Sequence, residues 1–141
     1  YYLAESRFND RNWLLAASEY ERYTNSFPDS PRREEVDFKI ATCYYNLSPR
    51  HNIDQSHTRS AIERYRLFLA RYPNSEQFDV ADSRITEMRN KLARKSYDAA
   101  QFYMRNDMYE AATVYFDIAI DSYPETIWAE RSLAAQIEAY I

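Results

Sequence analysis

Apolar residues recur along this chain at intervals of three and four, the spacing that puts side chains on one face of an α-helix. The clearest run is Phe78, Ala81, Ile85, Met88, Leu92 and Ala99–Ala100, with polar residues between. Proline and clusters of Asn, Asp and Ser interrupt the pattern. Between those breaks the chain predicts helices over 1–9, 11–27, 31–47, 57–72, 76–105, 108–123 and 125–140. Nothing breaks the stretch from Gln77 to Arg105, so it reads as one helix about 42 Å long at 1.5 Å per residue. Such a helix would link the elements on either side rigidly.

Three of these segments align without gaps: Ala16–Ser30, Ala61–Ser75 and Ala112–Thr126. Each opens on alanine, with an aromatic one helical turn later at Tyr20, Tyr65 and Phe116. A second aromatic follows at Phe27, Tyr72 and Tyr123, then proline at Pro28, Pro73 and Pro124, then Ser30, Ser75 and Thr126. The alanine lets a neighbouring helix approach, and the aromatic fills the space beside it. The proline ends the helix and biases the residue before it towards extended geometry. The hydroxyl that follows is expected to cap the next helix.

The preceding helices align too, through Ala4, Ala41 and Ala100, with Tyr44 and Tyr103 three residues beyond the last two. Ala4 to Ala16 and Ala100 to Ala112 are both 12 residues, which fits antiparallel helices joined by tight turns at Asn9–Asp10 and Asn106–Asp107. Ala41 to Ala61 is 20 residues, so the middle unit carries an inserted loop over 48–57. A single array over 1–141 follows. Repeat 1 covers about 1–30, repeat 2 about 31–75, the long helix with repeat 3 about 76–126, and 127–141 begins the next.

Composition narrows the function. The 141 residues contain no glycine, which removes the phosphate-cradling loops of nucleotide-binding motifs. A net charge of −4 argues against a nucleic-acid partner. No apolar run is long enough to span a membrane. The one cysteine, Cys43, has aromatic neighbours in mid-helix, which favours a packed, inert thiol over a reactive one. The two histidines, His51 and His57, bracket the inserted loop with only Asp54 as an acidic companion, too few ligands for zinc. Glu34/Glu35 and Asp79/Asp82 sit at predicted helix starts, where the helix dipole favours negative charge. The basic run Arg84, Arg89, Lys91, Arg94 and Lys95 spreads around its helix and reads as a solvated face, with a partner surface as the alternative. No catalytic, metal or cofactor site is expected.

A small residue in the first helix of a pair, Ala then aromatic in the second, and a closing proline resemble the tetratricopeptide repeat. The fold class expected is therefore all-α, a helical-repeat solenoid of about three helix pairs plus a final helix. Phe38, Tyr45, Tyr97, Gln101, Met104 and Arg105 fall where first helices of such repeats line the inner groove, and they are the candidate partner-binding residues. Tyr20, Tyr44, Tyr65 and Tyr103 fall at packing positions.

A more specific resemblance runs from Asp54 to Thr126, through Tyr72-Pro73-Asn74-Ser75, Asn90-Lys91-Leu92-Ala93, Tyr109-x-Ala111-Ala112 and Tyr123-Pro124-x-Thr126. This stretch is similar to the BamD lipoproteins of the bacterial outer-membrane β-barrel assembly machine, which also have a loop inserted in a middle repeat and a long helix before a later one. The resemblance implies a non-catalytic scaffold on the periplasmic face of the outer membrane, aiding the folding and insertion of outer-membrane proteins. It implies as partners the POTRA domains of BamA, other assembly lipoproteins and unfolded outer-membrane proteins. Membrane contact would come only through an N-terminal lipid anchor, and Cys43 is not that anchor. The chain has no initiator Met, and helical patterns run to both ends, so it reads as part of a longer protein. The other readings are a tetratricopeptide adaptor of another periplasmic or cytosolic complex, and an accessory domain of a larger enzyme.

Overall fold

The computed structural model describes all residues except Asn52 and Ile141, and the side chains of Ala139 and Tyr140 are also left aside. Seven helices follow in order among the described residues: α1 Tyr2–Asn9, α2 Trp13–Ser26, α3 Arg33–Leu47, α4 Ser56–Arg71, α5 Phe78–Arg105, α6 Tyr109–Ser122 and α7 Ile127–Tyr140. The fold is all-α, of the tetratricopeptide-like helical-repeat kind expected from the pattern.

The repeat is visible at the level of single dihedrals. Helices α2, α4 and α6 each end on the aromatic before proline. Phe27, Tyr72 and Tyr123 have φ of −131°, −126° and −132° and ψ of 65°, 64° and 52°. The proline ring forbids helical geometry in the residue ahead of it. Each of the three still donates its own N–H to the carbonyl four residues back. Their carbonyls in turn accept from Ser30, Ser75 and Thr126 N–H, each at 3.1 Å, closing the same turn three times.

The hydroxyls divide after that point. Thr126 caps α7 as expected, its Oγ1 accepting from Ala129 N–H at 3.2 Å. Ser30 and Ser75 instead accept from N–H groups two residues on, Arg32 at 3.2 Å and Gln77 at 3.1 Å. Helices α3 and α5 begin only at Arg33 and Phe78. Two additional turn residues separate these serines from the helix start, so they hold the turn rather than cap the helix.

The tight turns inside the first and third pairs match each other as well. Asn12 N–H reaches Arg7 O at 2.9 Å and Arg11 N–H reaches Phe8 O at 3.0 Å. Met108 to Tyr103 O (2.9 Å) and Asp107 to Met104 O (3.2 Å) repeat the pattern. This is the Schellman closure, which needs a left-handed residue after the helix. Without glycine, Arg11 (φ 60°) and Asp107 (φ 59°) take that role.

The chain forms two compact units, Tyr1–Pro49 with Asp54–Thr86, and Arg50–Ile53 with Glu87–Ile141. In the first, α2 packs on α1 and α3, and α3 on α4. Its core holds Ala4, Ala16, Ala17, Tyr20, Val36, Ile40 and Cys43, with Phe8, Trp13, Tyr23 and Tyr44 against it. In the second, α6 packs on α7. Ala100, Ala112 and Phe116 form its buried cluster, edged by Tyr97, Tyr103, Met104 and Tyr115. Ala16, Ala61 and Ala112 are all fully buried, as close helix approach requires. Tyr20 and Tyr65 are fully buried too, whereas Tyr44 and Tyr103 are half-buried at the edges of their clusters. Burial pushes the Cys43 thiol up to about 12, so it is not a ready thiolate.

Within the first unit, the inserted loop rejoins α4 through Gln55, fully buried, whose Oε1 accepts from Thr58 at 2.5 Å. His57 stacks on Tyr44. The loop residues assigned to the second unit are held there: His51 Nε2 lies 3.0 Å from Asp98, and Lys95 Nζ donates to Ile53 O at 3.1 Å.

Candidate functional site

The six candidate residues fall into two groups, one in each unit. On α3, Phe38 and Tyr45 are half-buried, and both stand edge-on to Tyr65, at 5.7 and 6.4 Å between ring centroids. Phe38 also meets Phe68 at 5.4 Å. What gathers them is Arg84, from the part of α5 in the same unit. Its guanidinium lies 4.6 Å from the Tyr45 centroid, 5.7 Å from Phe38 and 5.9 Å from Tyr65. It donates to Tyr65 Oη at 2.7 Å and Thr42 Oγ1 at 3.3 Å. Burial raises the Tyr65 phenol pKa, with the hydrogen bonds from Thr42 and Arg84 working the other way.

Beside this cluster opens a cleft of ≈ 600 Å³. Phe8, Phe38 and Phe68 supply its apolar walls. Glu34 and Glu35 from the first turn of α3, Lys39, Thr42 and the segment Asn74–Gln77 supply its polar ones. Lys39 is already committed, at 2.7 Å from Glu5 and 3.1 Å from Glu35. Glu5 also accepts from Tyr20 Oη. Burial works to raise the Glu5 carboxyl, but the bonds from Lys39 and Tyr20 outweigh it and its pKa falls below the ordinary value.

In the second unit, Tyr97 leans on Phe116 at 6.1 Å and on Trp128 at 5.4 Å. Gln101 Nε2 donates to Tyr97 Oη at 2.9 Å. Met104 packs on the Ala100–Ala112–Phe116 cluster. Arg105 is exposed in the last turn of α5, where a cation suits the helix dipole. Trp128 carries Arg131 at 4.8 Å and Arg94 at 5.4 Å from its ring, each within range of a cation–π contact. Phe38, Tyr45, Tyr97 and Met104 thus contribute to helix packing while keeping part of their surface exposed, Gln101 bonds within its own helix, and Arg105 stands clear.

The expectation of a plain solvated basic face on α5 is corrected. Arg84 is half-buried among rings. Arg89 holds Glu125 and donates to Ser122 O at 2.7 Å. Arg94 approaches Asp98 at 3.7 Å. Lys91 is half-buried, and desolvation lowers its pKa. Arg84, Arg89 and Arg94 thus spend their guanidinium heads on partners within the protein rather than leaving them free. The sequence pattern did not single out Trp128, and it placed Arg84 on a solvated face instead of among the rings. A signal existed for Arg84: it lies three residues after Ala81 and four before Met88, both fully buried, and so shares the inward stripe.

Comparison with known proteins adds the family. The outer membrane lipoprotein family YfiO matches residues 1–141. A protein of Caulobacter vibrioides named outer membrane protein assembly factor BamD is 27% identical over 136 residues, 96% of this chain and 45% of its own length. The protein of that name from Vibrio cholerae is 33% identical over 91 residues, 64% of this chain and 38% of its own. One from Xylella fastidiosa is 30% identical over 87 residues, 62% of this chain and 30% of its own. The chain spans less than half the length of these relatives. With its all-helical repeats and a match along its whole length, this chain belongs to the YfiO family of outer membrane lipoproteins.

Proposed function

We propose that this chain is part of a BamD-like assembly factor, a non-catalytic scaffold that holds protein partners while outer-membrane proteins are folded and inserted. The observation that carries the reading is the family match over all 141 residues. The half-buried aromatic surfaces on α3 and α5 support it, since rigid amphipathic rings are efficient anchors for protein surfaces. In this reading Phe38 and Tyr45, with Arg84, and Tyr97, Gln101 and Met104, with Trp128 and Arg105, make the contacts. The partners are the POTRA domains of BamA, companion lipoproteins and unfolded outer-membrane proteins. The place is the periplasmic face of the outer membrane, reached through an N-terminal lipid anchor.

The test is capture of the chain, within its full-length protein, by immobilised POTRA domains. Retention by these domains and not by an unrelated domain of equal charge is the expected result. A folded sample that passes through unretained would turn the reading to a tetratricopeptide adaptor of some other complex.

A further inference from the structure

The cleft of the first unit has a charge pattern that says more than that proteins bind. Its walls are three phenylalanines: Phe8 and Phe38 are half-buried and Phe68 fully buried. Its charged lining is mostly acidic. Glu34 stands on the first turn of α3, and Glu76 stands just ahead of α5. Both are exposed, and neither joins an ion pair among the described residues. Among the described residues Lys39 is the only cation lining the cleft, and Glu5 and Glu35 hold its ammonium. Arg84 lies beyond Phe38 with its guanidinium turned to Tyr65 and Thr42. The helix dipole accounts for Glu34 at the start of α3, but Glu76 lies outside any helix.

A cleft lined by phenylalanine rings and by two carboxylates without an ion pair matches a side chain with an apolar stem and a cationic head. Lysine and arginine have that form. The stem lies along the phenylalanine rings, and the head meets Glu34 or Glu76 in a charge-assisted hydrogen bond. We propose that this cleft receives an extended basic segment of a protein partner, placing one lysine or arginine side chain between Glu34 and Glu76. The proposal rests on the scaffold reading and names the chemistry of one of its partners.

Fluorescence anisotropy with the full chain tests it, using three labelled synthetic peptides in which Phe alternates with Lys, Gln or Glu. The Lys peptide is expected to bind most tightly, and added salt should weaken it as exposed charges are screened. The double variant Glu34→Gln/Glu76→Gln should weaken the Lys peptide by roughly twofold to thirtyfold, the strength of two exposed ion pairs. Its thermal midpoint and its affinity for the Gln peptide should stay unchanged. Equal binding of the Lys and Gln peptides would overturn the proposal. So would tightest binding of the Glu peptide, which would make Arg84 the reader of an acidic segment, or an unaffected double variant. A concentration-dependent dimer that the Lys peptide cannot dissociate would also overturn it, with a second copy as the occupant. POTRA capture by the wild-type chain separates the two ideas: loss of capture counts against the scaffold, and loss of Lys preference counts only against this cleft.

Discussion

The absence of glycine leaves a residue-scale cost at two places. Arg11 and Asp107 occupy left-handed backbone after α1 and α5, where a β-carbon crowds the following carbonyl. Asp107 tolerates that region better than arginine does, because short polar side chains bond locally; here its carboxylate accepts from Tyr109 Oη at 3.0 Å. Replacing Arg11 with glycine should therefore stabilise the protein by about 0.5–1 kcal/mol. Asp107→Gly should gain less. Chemical denaturation of both variants checks this, and a loss of stability in Arg11→Gly would mean that its side chain contributes more than its backbone costs. The sequence pattern placed tight turns at Asn9–Asp10 and Asn106–Asp107 but did not mark which residue takes the left-handed backbone. Glycine is the usual mark of a left-handed cap, and here the conformation is imposed by the closing hydrogen bonds.

At the scale of elements, the repeated alanines are the seams. Ala112 of α6 is fully buried against Ala100 of α5 and Phe116. Ala112→Phe should overpack that seam and cost about 1–3 kcal/mol in thermal or denaturant unfolding. An unchanged midpoint would place Ala112 where helices do not meet. The first three helices are further tied by charge: Glu5 on α1 accepts from Lys39 on α3 and Tyr20 on α2. Its native pKa is depressed below the ordinary 4.5. The stability it contributes is complete above that value and is lost as pH falls through the lower native pKa. Below about pH 5 the wild-type midpoint should fall more steeply than that of Glu5→Gln. Parallel acid profiles would remove Glu5 from the account of stability. The seams were legible because alanine and aromatic recur in register. The Glu5–Lys39–Tyr20 link was not, since 34 residues separate Glu5 from Lys39 and no periodicity relates them.

At the scale of the whole chain, each unit carries its own exposed chemistry. The first offers a phenylalanine-walled, acid-lined cleft, and the second a tryptophan flanked by two arginines. POTRA capture and peptide discrimination therefore address different claims, one about the role of the protein and one about a single surface. Local spacing and residue type were enough to specify the seven helices, the proline stops after α2, α4 and α6, the buried alanines and the family. Position in the repeat nominated Phe38, Tyr45, Tyr97, Gln101, Met104 and Arg105 as contact candidates. Which groups meet is set by packing in three dimensions: Arg84 inside an aromatic cage, Ser30 and Ser75 holding turns instead of capping helices, and Glu34 and Glu76 facing one cleft. The physical reason is that helix formation answers to neighbours three and four residues away. The neutralisation and burial of a charge answer to whatever side chains the packing of distant helices brings alongside it.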